Sequence, residues 1–578
     1  MNILGVSCFY HDSAAALIVD GRLTAAASQE RFSRIKHDSE IPVEAAQFCL
    51  DKADLTIGDI DWLVFYDKPL TKFERIVTGY MAEPVRSYRA VMQALPIWLG
   101  RKLWTESVLK KALDYKGEVL YTPHHLAHAA GTFFGSPFEK AAILTIDGVG
   151  EWTTASWGIG ENNHVELKAQ MSYPHSVGLL YSAFTYYLGF MVNSAEYKIM
   201  GLAPFGTPKY AELIEEQLVR IFDDGSIVLN LDMFTFQHGL CMTGKRFDML
   251  FGRPRRTPDQ PLEDFHQDIA ASLQLVTEKI VRRQARHVRE QTGLSNLCLS
   301  GGVALNCSAT GKLLKEKIFD DIYVQPAAGD AGGAVGAALY VSHTVGKERR
   351  KPQPFFRLGP LYDNDQIKSF LDSINVPYST GSDQTLARTV AKRIAEGAIV
   401  GLFHGAMEFG PRALGFRSIL ADPRDPEMKA KINRAVKYRE PFRPFAPAVL
   451  REKASDWFDC ESDSPYMTVN FTVHENKRSL IPAVTHVDGT ARIQTVAEAD
   501  NPMLYTILQQ FEQLTDTPVL LNTSFNLRGH PIVNTPEEAF ATFCSGGIDI
   551  LLIGSYLIDK QDVPSGLIMR YRTETKSD

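Results

Sequence analysis

The sequence predicts an α/β protein of two domains, the first of them a duplicated lobe, and three features of the 578 residues carry that reading. A strand-hairpin unit occurs twice, two apolar strands run into glycine-rich loops that open helices, and a basic, proline-rich stretch precedes a second α/β pattern. A chain of this length exceeds what one core can serve, so more than one domain is expected.

Taken in order, ILGVSCFYHDSAAALIVDG (3–21) reads as a strand, a tight polar turn holding His11 and Asp12, and a second strand ending at Asp20-Gly21. RLTAAASQERF (22–32) follows as a third strand. Roughly 140 residues on, AAILTIDGVGEWTTASWGIGENN (141–163) repeats the plan with its acidic-glycine turn at Asp147-Gly148 and a second turn at Gly160, which reads as an internal duplication, the plainer alternative being a chance recurrence of two hairpins. NLCLSGGVALNCSATGKLL (296–314) then places Ser300, Gly301 and Gly302 between a strand and a helix. IYVQPAAGDAGGAVGAALY (322–340) does the same with Gly329, Asp330, Gly332 and Gly333. Glycines let a ligand approach the backbone, and the helix start offers unpaired N–H groups, so such loops suit phosphate; neither has Walker or Rossmann spacing. The stretch GKERRKPQPFFRLGP (346–360) sets the expected boundary near residue 350, with domains 1–350 and 351–578.

Composition narrows the class of function. A content of 45% apolar and 22% charged residues is that of a soluble globular protein. A formal charge of -7 and a pI near 6.1 argue against a nucleic-acid-coating surface. The seven cysteines (Cys8, Cys49, Cys241, Cys298, Cys307, Cys460, Cys544) form no CxxC pair and are odd in number, which points to a reducing cytoplasm. No basic residue precedes Arg22 and no apolar run reaches spanning length, so neither export nor membrane insertion is expected. Only the terminal RTETKSD reads as disordered.

Two groups of residues carry chemistry. In YTPHHLAHAAG (121–131), His124 and His128 stand four apart on one helical face and His125 and His128 three apart, so two ring nitrogens can meet at one point. Taken alone, this is either metal-ligand spacing or a histidine-rich amphipathic turn. The second group lies near the C-terminus. EFGPRALGFRS (408–418) carries Arg412 and Arg417; KYREPFRPFAP (437–447) carries Lys437, Arg439 and Arg443 among prolines; Arg492 and the LNTSFN segment, with Asn522, Thr523, Ser524 and Asn526, follow. A solvated basic face sets its cations at helical spacing beside acids, whereas these sit among Gly, Pro and aromatic residues. That suits an enclosed anion site with arginine forks for phosphate.

EFGPRALGFRS, KYREPFRPFAP, LNTSFN and HHLAHAA together resemble the bacterial O-carbamoyltransferase family, in order and from residue 1 to about 560. That family includes enzymes that tailor nodulation factors, cephems, aminoglycosides and ansamycins. The resemblance implies a duplicated actin-like N-terminal domain, similar to threonylcarbamoyl-transfer proteins, and a YrdC-like α/β C-terminal domain. It implies that His124, His128, Asp147 and Asp330 hold a divalent metal, iron or zinc, and it leaves His125 as an outer partner or a packed surface residue. It also implies carbamoyl phosphate and ATP, with Mg(II), as co-substrates: Lys437, Arg439, Ser524 and Asn526 match the KxR and SxN elements, and Arg412, Arg443 and Arg492 join them on the phosphates. Lys198, Ser300, Gly301, Gly302, Asn306 and Gly332 fall in nucleotide-contacting segments, and His11 and Asp12 match the acid/base turn beside an acceptor hydroxyl. Here too, His11 and Asp12 have a plainer reading as turn residues. Two departures stand out: Ala406 where the family has arginine, and His530 where it has an acid.

The expected partner is a small-molecule hydroxyl compound, natural product or sugar, with no nucleic acid and no membrane. The competing readings are a tRNA threonylcarbamoyl-transfer enzyme, an actin-fold sugar kinase or ATPase, and a metal-binding structural module. The charge balance speaks against the first, and the arginine loops against the others. The segment 73–104, rich in aromatic and basic residues, reads as an acceptor cleft, a homodimer surface or ordinary packing.

Overall fold

The structure, a computed structural model, describes residues 1–351 and 357–573. The expected disorder of the last residues therefore falls mostly outside the described chain, as does part of the proline-rich boundary stretch. The chain forms two compact units: Met1–Gln29 with His37–Pro354, and Glu30–Lys36 with Phe355–Asp578.

In the first unit, β1 (Asn2–Ser7), β2 (Ala14–Val19) and β3 (Arg22–Ser28) form an antiparallel meander, and β4 (Trp62–Phe65) and β5 (Val119–Tyr121) add in parallel beside β1. The order is β3-β2-β1-β4-β5. The third strand stops at Ser28, short of the run read from sequence; Glu30–Ser33 is a short helix. A second sheet repeats the design. β6 (Lys140–Ile146), β7 (Thr153–Glu161) and β8 (His164–Ser172) form the meander; after a hairpin of β9 (Val219–Ile221) and β10 (Ile227–Leu229), β11 (Asn296–Ser300) and β12 (Asp321–Val324) add in parallel beside β6. Its order, β12-β11-β6-β7-β8, mirrors the first strand for strand. The duplication is thus topological, and it makes this unit a duplicated actin-like fold.

The central strands read as continuous apolar runs because both faces are covered. Gly5 of β1 shows why one helix sits so close: a Cβ there would come within 2.1 Å of the Ala334 carbonyl oxygen in the helix Ala331–Tyr340. The same helix crosses the helix His124–Gly135 through glycines. A Cβ on Gly336 would lie 1.8 Å from the Ala127 carbonyl oxygen, and one on Gly131 would lie 3.2 Å from the Gly336 Cα. This close crossing brings the start of one helix, Asp330, beside the histidines of the other.

The second unit centres on a mixed sheet. Its strands are β13 (Ser379–Thr380), β14 (Val400–Phe403), β15 (Arg417–Ala421), β16 (Ala446–Leu450), β19 (Gln494–Val496), β20 (Val519–Ser524), β21 (Ile550–Ile553) and β22 (Tyr556–Asp559), while β17 (Phe471–Thr472) and β18 (Thr490–Ala491) pair separately. The helices Asp383–Ala395 and Pro502–Thr515 bury Leu386, Val390, Leu504 and Phe511 against Val400, Leu402, Leu520 and Leu552. The segment Glu30–Lys36 belongs to this unit. Arg31 Nη2 donates to the Gly410 carbonyl at 3.0 Å, and Arg34 donates to the Ile532 and Pro531 carbonyls at 2.8 and 2.9 Å. Among the described residues no helix is long and apolar enough to cross a membrane.

Candidate functional site

In the first unit the opening histidines converge as their spacing predicts. Pro123 precedes the helix and Glu151 caps it, its carboxylate accepting from the His124 N–H at 3.0 Å and from the Lys68 N–H at 2.8 Å. One acid thus caps two helix starts, where the partial positive charge favours it. His124 Nε2 lies 3.1 Å from Asp147 Oδ2, 3.1 Å from His128 Nε2 and 3.6 Å from Asp330 Oδ1; His128 Nε2 lies 3.7 Å from Asp330 Oδ1. One ligand atom from each of the four residues falls within 4.8 Å of the others. All four are buried.

This donor set fits a divalent metal. Two imidazole nitrogens facing each other at 3.1 Å need a proton or a cation between them, while both Nδ1 atoms are buried without a partner. Two nitrogens and two carboxylates suit iron or zinc alike. Burial opposes charge on His124, but the Asp147 hydrogen bond and the Asp330 charge hold its pKa up to about 9. Asp147 is placed by the loop after β11: its Oδ1 accepts from the Gly302 N–H at 2.9 Å. Gly301, at φ +90°, makes the turn where a Cβ would strike the Ile146 carbonyl at 2.3 Å.

His125 takes neither role considered from sequence. It is 3% exposed, and its Nδ1 meets Thr145 Oγ1 at 2.7 Å and Ser156 Oγ at 3.1 Å. Burial and the His124 charge push its pKa down to about 3, so it is a neutral core residue tying the helix to β6 and β7.

The turn after β1 holds a second constellation. Asp12, in the left-handed region at φ +60°, receives His11 Nδ1 at 3.0 Å and His37 Nδ1 at 2.7 Å. Burial works against its charge, but the two imidazoles hold the Asp12 carboxyl well below the usual range. For His11, burial opposes protonation while Asp12, Asp330 and Asp147 favour it, leaving its pKa at about 9. Cys8 nearby is buried, and desolvation pushes its thiol far up, which removes it as a nucleophile.

The residues of the expected nucleotide segments in this unit have local partners. Asn306 caps the helix Cys307–Lys315, accepting from the Ala309 N–H at 3.1 Å, and exchanges hydrogen bonds with Gln274 at 3.0 Å in both directions. Gly332 is buried, and a Cβ would meet the Ala327 carbonyl at 2.0 Å. Lys198 is buried with its ammonium 5.6 Å from the Phe190 ring centroid. Ser300 Oγ is buried without a hydrogen-bond partner.

In the second unit, strand directions gather the cationic motifs at one end of the sheet. β15 and β16 both run antiparallel to β20, β14 runs antiparallel to β15, and β19 runs parallel to β16. The end of β14, the starts of β15, β16 and β19, and the end of β20 therefore share one edge. The loops carrying Arg412, Arg439 and Arg443, Arg492, and Ser524 with Asn526 all leave from it. Lys437 Nζ donates to the Ser524 carbonyl, to Ser524 Oγ at 3.2 Å and to Asn526 Oδ1 at 2.8 Å. It is 4% exposed, and burial, then Arg439, Arg443 and Lys36, push its pKa well down. Arg439 is held by Asn433 Oδ1 at 2.8 Å and lies 4.4 Å from the Phe445 ring centroid. Arg492 Nε is buried without a partner. Arg417 is structural: fully buried, it lies 3.6 Å from the Phe403 ring centroid and donates to the Gly405, Phe416 and Pro360 carbonyls. At the two departures, the His530 carbonyl accepts from Asn526 Nδ2 at 2.6 Å, and Ala406 follows Gly405 in the loop after β14.

Sequence reasoning missed Glu151, His37 and Lys36. Glu151 had a signal, an acid four residues past Asp147 in the repeated turn; the other two had none, because only the fold brings them to their partners.

The chain thus joins a duplicated actin-like unit with a buried histidine-aspartate cluster to an α/β unit whose cationic loops leave one end of its sheet. Models of the carbamoyltransferase N-terminus and C-terminus match residues 2–339 and 391–560, and the chain belongs to the carbamoyltransferase family. It is 48% identical to an uncharacterised protein of Synechocystis sp., covering 97% of each chain. It is 39% identical to nodulation protein NolNO of Sinorhizobium fredii over 96% of this chain and 79% of that one. Among solved structures, component A of the (R)-2-hydroxyglutaryl-CoA dehydratase of Acidaminococcus fermentans matches 59% of this chain and 97% of its own, at 14% identity and a TM-score of 0.30. The protein is an enzyme that transfers carbamoyl groups.

Proposed function

We propose that the protein is an O-carbamoyltransferase that forms carbamoyl adenylate from carbamoyl phosphate and ATP in its C-terminal unit and transfers the carbamoyl group to a small-molecule hydroxyl in its N-terminal unit. The observation that carries this reading is the crowding of Lys437 by Arg439, Arg443 and Lys36, with only neutral acceptors on its own ammonium. Like charges packed at a buried position are stable when a multivalent anion shares the site.

Carbamoyl phosphate and water give carbamate and phosphate; a carbamate oxygen then attacks the α-phosphorus of ATP, carried with Mg(II), and pyrophosphate leaves. Lys437, Arg412, Arg443 and Arg492 neutralise the phosphates, a step of positioning and charge stabilisation. In the N-terminal unit His124, His128, Asp147 and Asp330 hold the divalent metal, which supplies Lewis acidity when bound. There the acceptor hydroxyl attacks the carbamoyl carbon, AMP departs, and neutral His11 takes the hydroxyl proton. Asp12, kept ionised by two imidazoles, orients His11 rather than accepting the proton itself.

The test omits the acceptor: protein, carbamoyl phosphate and ATP are incubated while phosphate, pyrophosphate and AMP are followed. Pyrophosphate release that needs both reagents and is lost in Arg412→Ala supports adenylation. ADP as sole nucleotide product moves the kinase reading ahead, and tRNA retained through purification revives the threonylcarbamoyl one.

A further inference from the structure

The helix Pro69–Ala82 buries only two of its residues, Pro69 and Arg75, so its deepest inward side chain past the first turn is a cation that is 8% exposed. The Arg75 guanidinium lies 5.0 Å from the Tyr173 ring centroid, and its Nε is buried without a hydrogen-bond partner. Among the described residues no carboxylate pairs with it. The two acids whose charge reaches it are engaged elsewhere: Asp67 holds Lys72 Nζ at 2.6 Å, and Glu151 accepts from the Lys68 and His124 N–H groups at 2.8 and 3.0 Å. Burial accordingly pushes the Arg75 pKa down. A buried cation without an anion is costly, and such a group marks a place where a ligand supplies the missing charge. Its surroundings are those of the transfer centre. Lys72, three residues earlier on the same helix, has its Nζ 5.9 Å from the Tyr66 ring centroid and 5.7 Å from that of Tyr10; the Tyr66 ring lies 5.3 Å from that of His124, and the Tyr10 ring 4.5 Å from that of His11. Tyr10 is 42% exposed, and its charge and that of Arg75 act on each other.

We propose that Arg75 selects the acceptor, its guanidinium pairing with a carboxylate or phosphate group on the same molecule that presents the hydroxyl. This rests on the two-step reaction proposed above, in which the acceptor meets His11. A neutral hydroxyl compound could accept hydrogen bonds from Arg75 but would leave its charge uncompensated. An arginine fork matches two oxygens of an anionic group, as a lysine ammonium does not, and contact with the Tyr173 ring holds the fork in place. The acceptor is favoured over the nucleotide because Lys72 and Tyr10 link Arg75 to the acid/base turn, whereas the expected nucleotide contacts, Lys198 and the loops after β11 and β12, lie on other elements.

The test gives the full, metal-loaded chain labelled carbamoyl phosphate, ATP and a small-molecule extract of the organism that encodes it, split on an anion exchanger at neutral pH. Label is expected in the retained fraction and not in the flow-through. With the retained fraction as acceptor, Arg75→Met should raise KM at least about tenfold, the cost of losing a charged hydrogen-bonded pair, with a smaller change in kcat. Arg75→Lys should recover part of that loss. Without substrates, the thermal midpoint of Arg75→Met should equal or exceed that of the wild type, because an unpaired buried charge gives way to an apolar side chain of similar length. The proposal is overturned by label confined to the flow-through, by pyrophosphate release with no labelled fraction at all, or by an unchanged KM in Arg75→Met. Inhibition by AMP weakened by the same factor as the acceptor would place the guanidinium on the nucleotide instead, and a lowered midpoint would make Arg75 a structural cation; either result also overturns it. A wild type that releases no pyrophosphate breaks the two-step reading itself, and the midpoint then still decides whether Arg75 is structural.

Discussion

His128 and Lys437 each report on one centre, so the two residues separate the halves of the proposed reaction. His128→Ala removes one of four metal donors; metal content should fall by more than the about 10- to 100-fold that loss of an outer partner costs, and carbamoyl transfer with it. Pyrophosphate release without acceptor should remain. Lys437→Ala should do the reverse, cutting adenylation by about 10²- to 10³-fold, in line with loss of one charge-stabilising donor, and leaving metal content unchanged. Metal analysis and pyrophosphate release on the same preparations decide it, and parallel loss of both signals in both variants contradicts the division of labour. His11 sets the pH dependence. Its base form appears as pH rises toward about 9, so the transfer rate should climb through that range. Asp12→Asn, which removes the hydrogen bond favouring the imidazolium, should move that limb to lower pH; a limb that stays in place excludes His11. The sign for stability is opposite. A pKa raised above the unfolded value stabilises the fold below about 6.5, and that contribution is lost as pH passes about 9.

The histidine helix illustrates what an element owes to residues outside it. Its start depends on Glu151, and its end on Arg350, whose guanidinium donates to the Phe133 and Phe134 carbonyls at 2.7 and 3.3 Å and also to those of Ser136 and Phe138. The Phe133 and Phe134 carbonyls belong to the last turn of the helix, and Phe133 also accepts from the Ser136 N–H at 3.1 Å and from Ser136 Oγ at 2.8 Å. Arg350→Ala takes the guanidinium from the Phe134, Ser136 and Phe138 carbonyls, and a loss of about 2–4 kcal/mol is expected as a lower thermal midpoint. If the metal site inherits its geometry from the helix, metal affinity should fall as well. A midpoint unchanged within error sinks this account. The HxxxH spacing was legible because it is local and follows helical period. From the residue pattern Asp147 and Asp330 were legible as turn and loop residues, and the family resemblance alone joined them to the histidines; their arrival at one point depends on Gly131 and Gly336 letting two helices cross in near contact. The cap made by Asn306 and the close packing at Gly332 were not legible, because each depends on a neighbour that only the fold supplies.

At the scale of the molecule, the duplication was readable because both meanders begin with an apolar strand followed by an acidic turn, at Asp12 and at Asp147, and the sheets repeat in the same order. The membership of Glu30–Lys36 was not. Nothing in ERFSRIK marks it as part of a unit whose remaining residues start more than 300 positions later, since its partners are backbone carbonyls that any sequence supplies. Arg31 is buried against the Gly410 carbonyl, and Arg34 holds the Pro531 and Ile532 carbonyls and lies 3.2 Å from the Glu538 carboxylate. Each arginine closes a loop of the cationic edge: Gly410 lies two residues from Arg412, and Pro531 five from Asn526. The C-terminal unit is therefore expected to be incomplete when cut at the proline-rich stretch. A fragment starting at residue 351 should melt below the same unit in the full chain and release little pyrophosphate. Arg34→Ala in the full chain should fall between them, losing about 2–4 kcal/mol for hydrogen bonds from a charged donor. Calorimetry on the three proteins, with pyrophosphate release alongside, measures both effects. A fragment as stable and active as the full chain would show that the segment merely lies on this unit; an inactive fragment of normal stability would assign it, through Lys36 beside Lys437, to the anion site alone.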